Sequence, residues 1–300
     1  MNFKQKFEPK DDKVIHGAGQ SIERFKDYWN AVGKNKPLIY MMYIRINEIK
    51  EKLPKKFKDM ENFNRNLIPQ IGLNFKIRSK GSQVKEIAEG QYDQHIGDLC
   101  DVFSKFKKPI FLRIGYEFDK EGKYDPEYFR KAWKYLVGII RKKGITNVAT
   151  VWCACPYNGT SPVEPYYPGD NYVDWFGIDV FGVRHFEKLY PPVEGFLELA
   201  KKHKKPVMIG ESSAISSRRE NKDDWKEWFV PYFDWIKKHP VIKAFCYINW
   251  DWGVDWKQPE WGNARIDNKT ELLQEYKKEL SKKSYLQNIP LNKFLEEVNL

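Results

Sequence analysis

Residues 107–117 read KKPIFLRIGYE, and residues 204–211 repeat the same order of residue types as KKPVMIGE. In both stretches a lysine pair precedes a proline, and an apolar run follows that ends in glutamate. Lysines suit the carboxyl end of a helix because of the helix dipole, and proline prevents the helix from continuing. Each stretch therefore predicts that a helix ends, that a buried strand begins, and that a glutamate stands where the strand ends.

The same transition recurs along the chain, with NKP at 35–37 and KHP at 238–240. Short apolar runs, most of them rich in β-branched or aromatic residues, predict eight strands at 14–18, 38–44, 67–75, 109–117, 148–155, 173–181, 206–211 and 241–250. Helical patterns lie between them at 21–32, 92–106, 126–143, 193–203, 223–238 and 270–282.

This alternation of strands and helices leaves no residues for another domain. It predicts an α/β fold, a (β/α)8 TIM barrel, as a single catalytic domain over residues 1–300. The alternative is a doubly wound open sheet, which a glycine-rich phosphate loop after the first strand would support. Residues 17–20 read GAGQ and lack the third glycine of that loop, which favours the barrel.

The charge balance bears on partners and location. The 300 residues include 52 Lys+Arg and 41 Asp+Glu, a net charge of +11, and the two signs are interleaved. This pattern predicts a solvated surface and no nucleic-acid site.

No apolar run approaches the roughly 18 residues of a membrane span, so we expect no membrane association. Residues 1–17 lack the apolar core of a signal peptide. Two alternatives stay open: a cytoplasmic location, or secretion after removal of a leader.

The cysteines and aspartates do not predict a metal site. The four cysteines are too few for a disulfide scaffold, and Cys153 and Cys155 are predicted as small buried residues. Three aspartates near the carboxyl terminus, Asp251, Asp255 and Asp267, lack the loop spacing of a calcium site. We therefore predict no metal and no cofactor.

Polar and aromatic side chains stand at the predicted ends of several strands, where a barrel forms its active site. Because side chains alternate along a strand, Arg113, Gly115 and Glu117 are expected to share one face. The candidates for binding or catalysis are His16, Arg113, Tyr116, Glu117, Asp179, Phe181, Glu211, Trp250 and Trp252.

Glu117 and Glu211 are the most informative of these residues. They end the fourth and seventh predicted strands, which lie on opposite sides of an eight-strand ring. A glutamate at the end of an apolar strand is costly to bury unless it is paired or used. Pairing with a neighbour such as Arg113 is one alternative. Two carboxylates across a barrel mouth are also what glycoside hydrolysis requires, one as acid/base and one as nucleophile.

Aromatic residues make up 16% of the chain, and four tryptophans fall within residues 250–261. Tryptophan presents a flat apolar face that suits the C–H surface of a sugar. Core packing is the alternative for each of them. Because Asp251, Asp255 and Glu260 interrupt the series, we interpret it as a partly exposed aromatic wall.

The chain resembles the clan A glycoside hydrolases, and within them it is most similar to glycoside hydrolase family 26, the β-mannanases. The resemblance covers about residues 67–266 and is carried by 166–179 (YYPGDNYVDWFGID), 111–117 and 206–211. It implies that Glu117 is the acid/base and Glu211 the nucleophile, and that Trp250 lies under the catalytic sugar.

Three positions depart from the family pattern. Tyr116 replaces a histidine, Asp119 replaces an asparagine, and Phe181 replaces a tyrosine that can hydrogen-bond the nucleophile. The resemblance implies that these positions touch the sugar beside the scissile bond, so we expect the departures to bear on the substrate more than on the chemistry.

The function predicted from the sequence is that of a retaining endo-β-glycanase acting by double displacement between two glutamates. The expected substrate is a β-linked polysaccharide or oligosaccharide, with β-mannan first and mixed-linkage β-glucan or xylan next. We expect a monomer. The alternatives are a catalytically inactive glycan-binding barrel, which would keep the tryptophans, and a phosphate-handling barrel, which would need glycine-rich loops after strands seven and eight.

Overall fold

The computed structural model describes residues 1–156, 161–182, 190–215 and 223–300. Eight parallel strands form a barrel, which closes because the last pairs with the first, from Ile15 opposite Ala244 to Gly19 opposite Ile248. The predicted (β/α)8 fold is confirmed. The barrel strands are β1 Val14–Gly19, β2 Ile39–Arg45, β3 Ile68–Asn74, β4 Ile110–Ile114, β5 Val148–Ala154, β6 Trp175–Val180, β7 Val207–Ser212 and β8 Ile242–Ile248.

Helices surround the barrel, and helix α5 begins and ends where local chemistry predicts. Asp125 caps α5 by accepting a hydrogen bond from the Tyr128 amide, Pro126 opens the helix, and Arg141 and Lys142 occupy its last turn. The α-helices are α1 Ile22–Ala31, α2 Ile49–Phe63, α3 Val84–Ala88, α4 Asp93–Phe106, α5 Pro126–Lys142, α6 Pro191–Lys202, α7 Val230–Lys238, α8 Trp252–Asp255, α9 Thr270–Leu280 and α10 Leu291–Glu297.

Helix α2 was not among the helices predicted from the sequence. Pro54 lies inside it and is exposed, whereas Leu53, Phe57 and Met60 form a buried stripe facing the barrel. Burial of that stripe stabilises the helix despite the missing hydrogen bond of the proline. In the described part of the connection from β5 to β6, two 3₁₀ turns, Glu164–Tyr166 and Asp170–Tyr172, take the place of an α-helix.

The two chain ends close the amino-terminal mouth of the barrel. Phe7 is buried and packs edge-on against Phe111 of β4, with ring centroids 5.9 Å apart. The Trp175 indole donates a hydrogen bond to the Lys6 carbonyl, and Pro9 forms a bridge with Val298. The opposite mouth, at the carboxyl ends of the strands, is left for a site.

No helix within the described ranges is both long and apolar enough to cross a membrane.

Candidate active site

A cleft of about 390 Å³ opens at the carboxyl ends of the barrel strands. It brings together six of the predicted residues, two of them carboxylates: Tyr116, Glu117, Phe181, Glu211, Trp250 and Trp252. A larger groove of about 780 Å³ lies outside the barrel between α2 and α4, away from the strand ends. Because barrel enzymes hold their active sites at the carboxyl ends of the strands, the smaller cleft is the candidate site.

Glu117 reaches the cleft through a turn and not along a strand. Strand β4 ends at Ile114, and both Gly115 and Glu117 have positive φ angles, of 53° and 50°. The predicted sharing of one strand face by Arg113, Gly115 and Glu117 was therefore wrong. A side chain at Gly115 would approach Phe129 to 2.7 Å, so this turn requires glycine. The Glu117 amide donates to the Cys153 carbonyl at 2.8 Å and anchors the turn on β5.

The Glu117 carboxylate lies among cations in the cleft. Its Oε2 atom is 2.7 Å from the Nζ atom of Lys120, three residues further along the turn. Burial raises the pKa of Glu117, but the charges of Lys120, Lys123 and Arg113 and the hydrogen bond from Lys120 outweigh it. The net pKa lies below the usual value of a glutamate, so the ionised form is favoured.

Glu211 lies on β7 and is held from below by a buried arginine. The Nη2 atom of Arg113 donates to Glu211 Oε1 at 2.8 Å and also pairs with Asp179 of β6. Burial raises the pKa of Asp179 against the charge of Arg113, and the nearby Glu211 and Glu117 raise it further. Because one guanidinium serves two carboxylates here, its position fixes the position of Glu211.

Gly210 gives Arg113 the room to reach Glu211. A Cβ atom at Gly210 would lie 2.8 Å from Arg113 Nε and 2.8 Å from Asp179 Oδ1. Both side chains are completely buried, so neither can move into solvent to relieve such a contact. The position of the Glu211 carboxylate therefore depends on the absence of a side chain at residue 210.

Tyr116 is clamped between two cations beside the catalytic candidates. The Arg113 guanidinium lies 4.8 Å from the centre of its ring, and the Lys123 ammonium lies 4.5 Å from it. Lys123 also donates a hydrogen bond to the Tyr116 carbonyl. The ring of Tyr43 from β2 packs against Tyr116 at 5.3 Å, and Tyr43 lines the cleft as well.

The predicted aromatic wall forms one side of the cleft. Trp250 stacks on Trp256 at 5.5 Å, and Trp252 packs against Trp261 at 4.7 Å. Phe181 joins this group, 5.2 Å from Trp261. Trp256 is 56% exposed, whereas Trp250 and Trp252 are buried at the base. The buried indole nitrogen of Trp250 has no hydrogen-bond partner among the described residues.

A sequence profile of the family described as Glycosyl hydrolase family 26 matches residues 115–249, which include both glutamates. The β-1,3-xylanase TXYA of Vibrio sp. is 26% identical over 93% of this chain and 67% of its own length. A β-1,3-xylanase of Alcaligenes sp. is 25% identical over 92% of this chain and 65% of its own length. Among the clan A glycoside hydrolases, this chain is most similar to family 26. It spans about two thirds of the length of these relatives.

A solved structure agrees with this fold. The catalytic domain of the family 26 endo-β-1,4-mannanase of Bacillus sp. JAMB-750 superimposes with a TM-score of 0.69. The match covers 99% of this chain and 92% of that one at 15% identity, which supports the shared barrel. Family 26 enzymes retain the anomeric configuration of the sugar, so the predicted class of retaining glycosidase is confirmed.

Three predicted substrate-binding residues lie outside the lining of this cleft. His16 is completely buried, with its ring nitrogens bonded to Gln287 and Tyr28. Its predicted role was wrong because its ring lies among packed side chains, where burial lowers its pKa to about 3. Arg113 and Asp179 lie buried beneath Glu211 and are not part of the cleft lining, and Arg113 positions the Glu211 carboxylate.

Several residues that line the cleft were not predicted. Tyr43 falls in the middle of an apolar run, and Lys120 follows the strand end in a turn, so neither position stands out in the sequence. Arg45, Glu48, Cys155 and Gln258 also line it. Gln20 and Asn74 line it too, and these two polar residues were expected at the ends of the first and third strands. Within the described ranges, no group of three or more His, Cys, Asp or Glu side chains is arranged to hold a metal ion.

Replacement of Gly210 by alanine is expected to reduce hydrolysis more than stability. The new Cβ displaces Arg113 and thereby Glu211, while overpacking costs about 1–3 kcal/mol. Steady-state kinetics and thermal unfolding measure the two effects. Gly138→Ala is the matched control, because a Cβ there meets nothing within 4 Å on an exposed face of α5. Equal kcat in both variants contradicts the role given to Gly210.

Asp119 is expected to make stability depend on pH. It is buried, its Oδ2 atom has no partner among the described residues, and burial raises its pKa from 3.8 to about 6. Between these pH values the folded chain binds more protons than the unfolded chain, so stability falls as pH rises.

Relative to Asp119→Asn, the wild type should lose up to about 3 kcal/mol of unfolding free energy between about pH 4 and pH 7. Denaturant unfolding at a series of pH values measures this loss. Asp101→Asn, at an exposed position on α4, serves as the control. A constant difference between wild type and Asp119→Asn across the series contradicts the prediction.

Proposed function

We propose that this protein is a retaining endo-β-glycanase in which Glu117 is the acid/base and Glu211 the nucleophile. One observation carries the proposal: Glu117, in the turn after β4, and Glu211, on β7, line the same cleft in different surroundings. Glu211 accepts a hydrogen bond from the buried Arg113, whereas Glu117 forms an ion pair with Lys120, whose side chain is 43% exposed. Such a difference suits two carboxylates with different roles.

The first half of the reaction forms a glycosyl-enzyme. A carboxylate oxygen of Glu211 attacks the anomeric carbon as the glycosidic bond breaks, and Glu117 gives its proton to the departing oxygen. The hydrogen bond from Arg113 orients the Glu211 carboxylate for this attack.

The second half releases the sugar. Glu117, now ionised, takes a proton from water as that water attacks the anomeric carbon, and the bond to Glu211 breaks. Two successive inversions leave the product with the configuration of the substrate, in agreement with the retaining class of the family.

The aromatic wall supports a glycan substrate. The Trp250 indole lines the cleft and offers a flat apolar face that suits the C–H surface of a sugar. The exposed Trp256 extends the wall outward from the base. A series of aromatic faces along an open cleft suits an internal segment of a polysaccharide, which is the substrate of an endo-acting enzyme.

For the substrate we propose β-1,3-linked xylan first. The support is the two relatives named β-1,3-xylanase, which align over 93% and 92% of this chain. β-Mannan, the first expectation from the sequence, becomes the second candidate, and mixed-linkage β-glucan the third. Tyr116 and Phe181, which depart from the mannanase pattern, both line the cleft and suit a change of sugar.

A panel of polysaccharides with analysis of the products tests this proposal. We expect β-1,3-xylan to be cut into a ladder of oligosaccharides whose new reducing ends carry the β configuration by early-time NMR. We expect a monomer in sedimentation. If another β-glycan is cleaved instead, that glycan replaces β-1,3-xylan as the proposed substrate. Products of inverted configuration overturn the proposed mechanism. Binding without cleavage of any member supports the inactive glycan-binding barrel.

A further inference from the structure

A serine hydroxyl ties the aromatic wall to the strand that carries the proposed nucleophile. Ser213 follows Glu211 by two residues and is completely buried. Its Oγ atom accepts a hydrogen bond from the Trp252 indole N–H at 2.9 Å and donates one to the Ile248 carbonyl at 3.0 Å. The serine therefore joins the end of β7 to the end of β8 and to the base of the wall.

Trp252 is in contact with most of the wall. Its ring centre lies 5.2 Å from that of Trp250, 4.7 Å from that of Trp261 and 6.0 Å from that of Phe181, and all four rings line the cleft. Because packed side chains leave each other little room, a rotation of this indole would displace its neighbours. The indole N–H lies on one edge of the ring, so its hydrogen bond to Ser213 fixes the direction in which that edge points.

The adjacent Ser212 makes similar hydrogen bonds but points away from the cleft. Its Oγ atom donates to the Cys246 carbonyl of β8 at 2.9 Å and lies 3.0 Å from the hydroxyl of Tyr232, a residue of α7 outside the barrel. Successive side chains along a strand point to opposite faces, so one serine reaches a helix and the other reaches the wall. The two positions separate the loss of a buried hydroxyl from the loss of the link to the wall.

A second connection holds the segment after β8 to the end of β7 without the Ser213 hydroxyl. The Ala214 amide donates to the Tyr247 hydroxyl at 3.4 Å, and that hydroxyl donates to the Ala264 carbonyl at 2.6 Å. The Ala264 amide donates to the Trp250 carbonyl at 2.9 Å. Removal of the Ser213 hydroxyl therefore leaves this segment attached to β7.

We propose that Ser213 is a positioning residue for glycan binding, which holds the Trp252 indole, and through it the wall, in the orientation that receives the glycan. The inference rests on the proposed function, in which the wall binds the glycan that Glu211 attacks. Ser213 lies outside the lining of the cleft and acts through the tryptophan.

Steady-state kinetics of Ser213→Ala and Ser212→Ala on the cleaved glycan test the inference. Alanine at residue 213 leaves the buried indole N–H without its acceptor, so the wall binds the glycan less well in the ground state and in the transition state alike. Such a loss raises KM and leaves kcat near its wild-type value. We expect KM to rise about tenfold in Ser213→Ala with kcat within about twofold of wild type.

Ser212→Ala is the matched control, because it also removes a buried hydroxyl that donates to β8. We expect it to keep the wild-type KM while its melting temperature falls about as far as that of Ser213→Ala. Equal changes of KM in the two variants show a general effect of losing a buried hydroxyl and overturn the inference. A lower melting temperature of Ser213→Ala with an unchanged KM overturns it too.

Trp252→Phe provides a second test, because it removes the N–H that Ser213 accepts. Ser213→Ala should raise KM in the wild-type background and change it by less than about twofold in the Trp252→Phe background, since the two substitutions break the same hydrogen bond. If the two effects on KM multiply in full, Ser213 acts by another route and the inference is overturned.

A wild type that cleaves no glycan overturns the proposed function instead. In that case the ¹⁵N-labelled indole N–H of Trp252, assigned by its absence in Trp252→Phe, still reports on the link to Ser213. We expect this NMR signal to shift, and its proton to exchange with water about tenfold faster, in Ser213→Ala. The signal should match wild type in Ser212→Ala. An unmoved signal in Ser213→Ala overturns the inference.

Discussion

Replacement of Glu211 by alanine is expected to lower hydrolysis of the cleaved glycan by on the order of 10⁵-fold or more, the scale of loss when a covalent nucleophile is removed. Without Glu211 no glycosyl-enzyme can form, so an activated aryl glycoside should give no burst. Added azide should attack directly and yield a product of inverted configuration. Stopped-flow release of the aryl group and NMR of the azide product measure both effects.

Glu211→Gln serves as the matched variant. The amide oxygen can still accept the hydrogen bond that Arg113 donates to Glu211, so this variant keeps the packing and loses the nucleophile. Both variants should unfold at temperatures close to wild type, because Arg113 retains its pair with Asp179. Residual kcat within tenfold of wild type in either variant contradicts the assignment of Glu211, the threshold corresponding to about 1.4 kcal/mol.

Glu117→Ala is expected to lower activity on the polysaccharide by about 10²–10⁴-fold, the usual contribution of acid–base catalysis. An activated aryl glycoside needs little protonation to leave, so this variant should still give a burst and then stall at deglycosylation. Azide should restart turnover with retained configuration, because a small anion can enter where the carboxyl was and needs no general base.

The contrast between the two alanine variants is the decisive feature. A burst with retained azide product in Glu117→Ala, and no burst with inverted product in Glu211→Ala, assigns each role separately. Identical behaviour of the two variants shows that the roles are wrong, even if both lose activity. Circular dichroism of each variant excludes misfolding as the cause of the loss.

Much of the barrel follows from local chemistry that the sequence displays. The stretches at 107–117 and 204–211 place β4 and β7, because a lysine pair and a proline mark where helices end. Helix α2 was not predicted because Pro54 interrupts its pattern, and packing of its buried stripe decides its conformation. Tertiary burial outweighs local propensity at such a position.

Site residues could be predicted from the sequence where a residue type is rare in its sequence context. A glutamate after an apolar strand is such a case, so Glu117 and Glu211 stood out. Lys120 did not, because its approach to Glu117 depends on a turn with a positive φ angle that no periodicity encodes. His16 was misplaced because a polar residue on a strand can point outward as well as into the cleft, and its partner Gln287 lies 271 residues away.

Covalent trapping tests the central assignment most directly. A 2-deoxy-2-fluoro glycoside with an activated leaving group permits the first displacement and slows the second, so the sugar stays on the nucleophile. After proteolysis, mass spectrometry locates the attached sugar. The account predicts a single adduct on Glu211 that disappears in Glu211→Gln. An adduct on any other residue, or steady hydrolysis of ordinary glycans in Glu211→Gln, contradicts it.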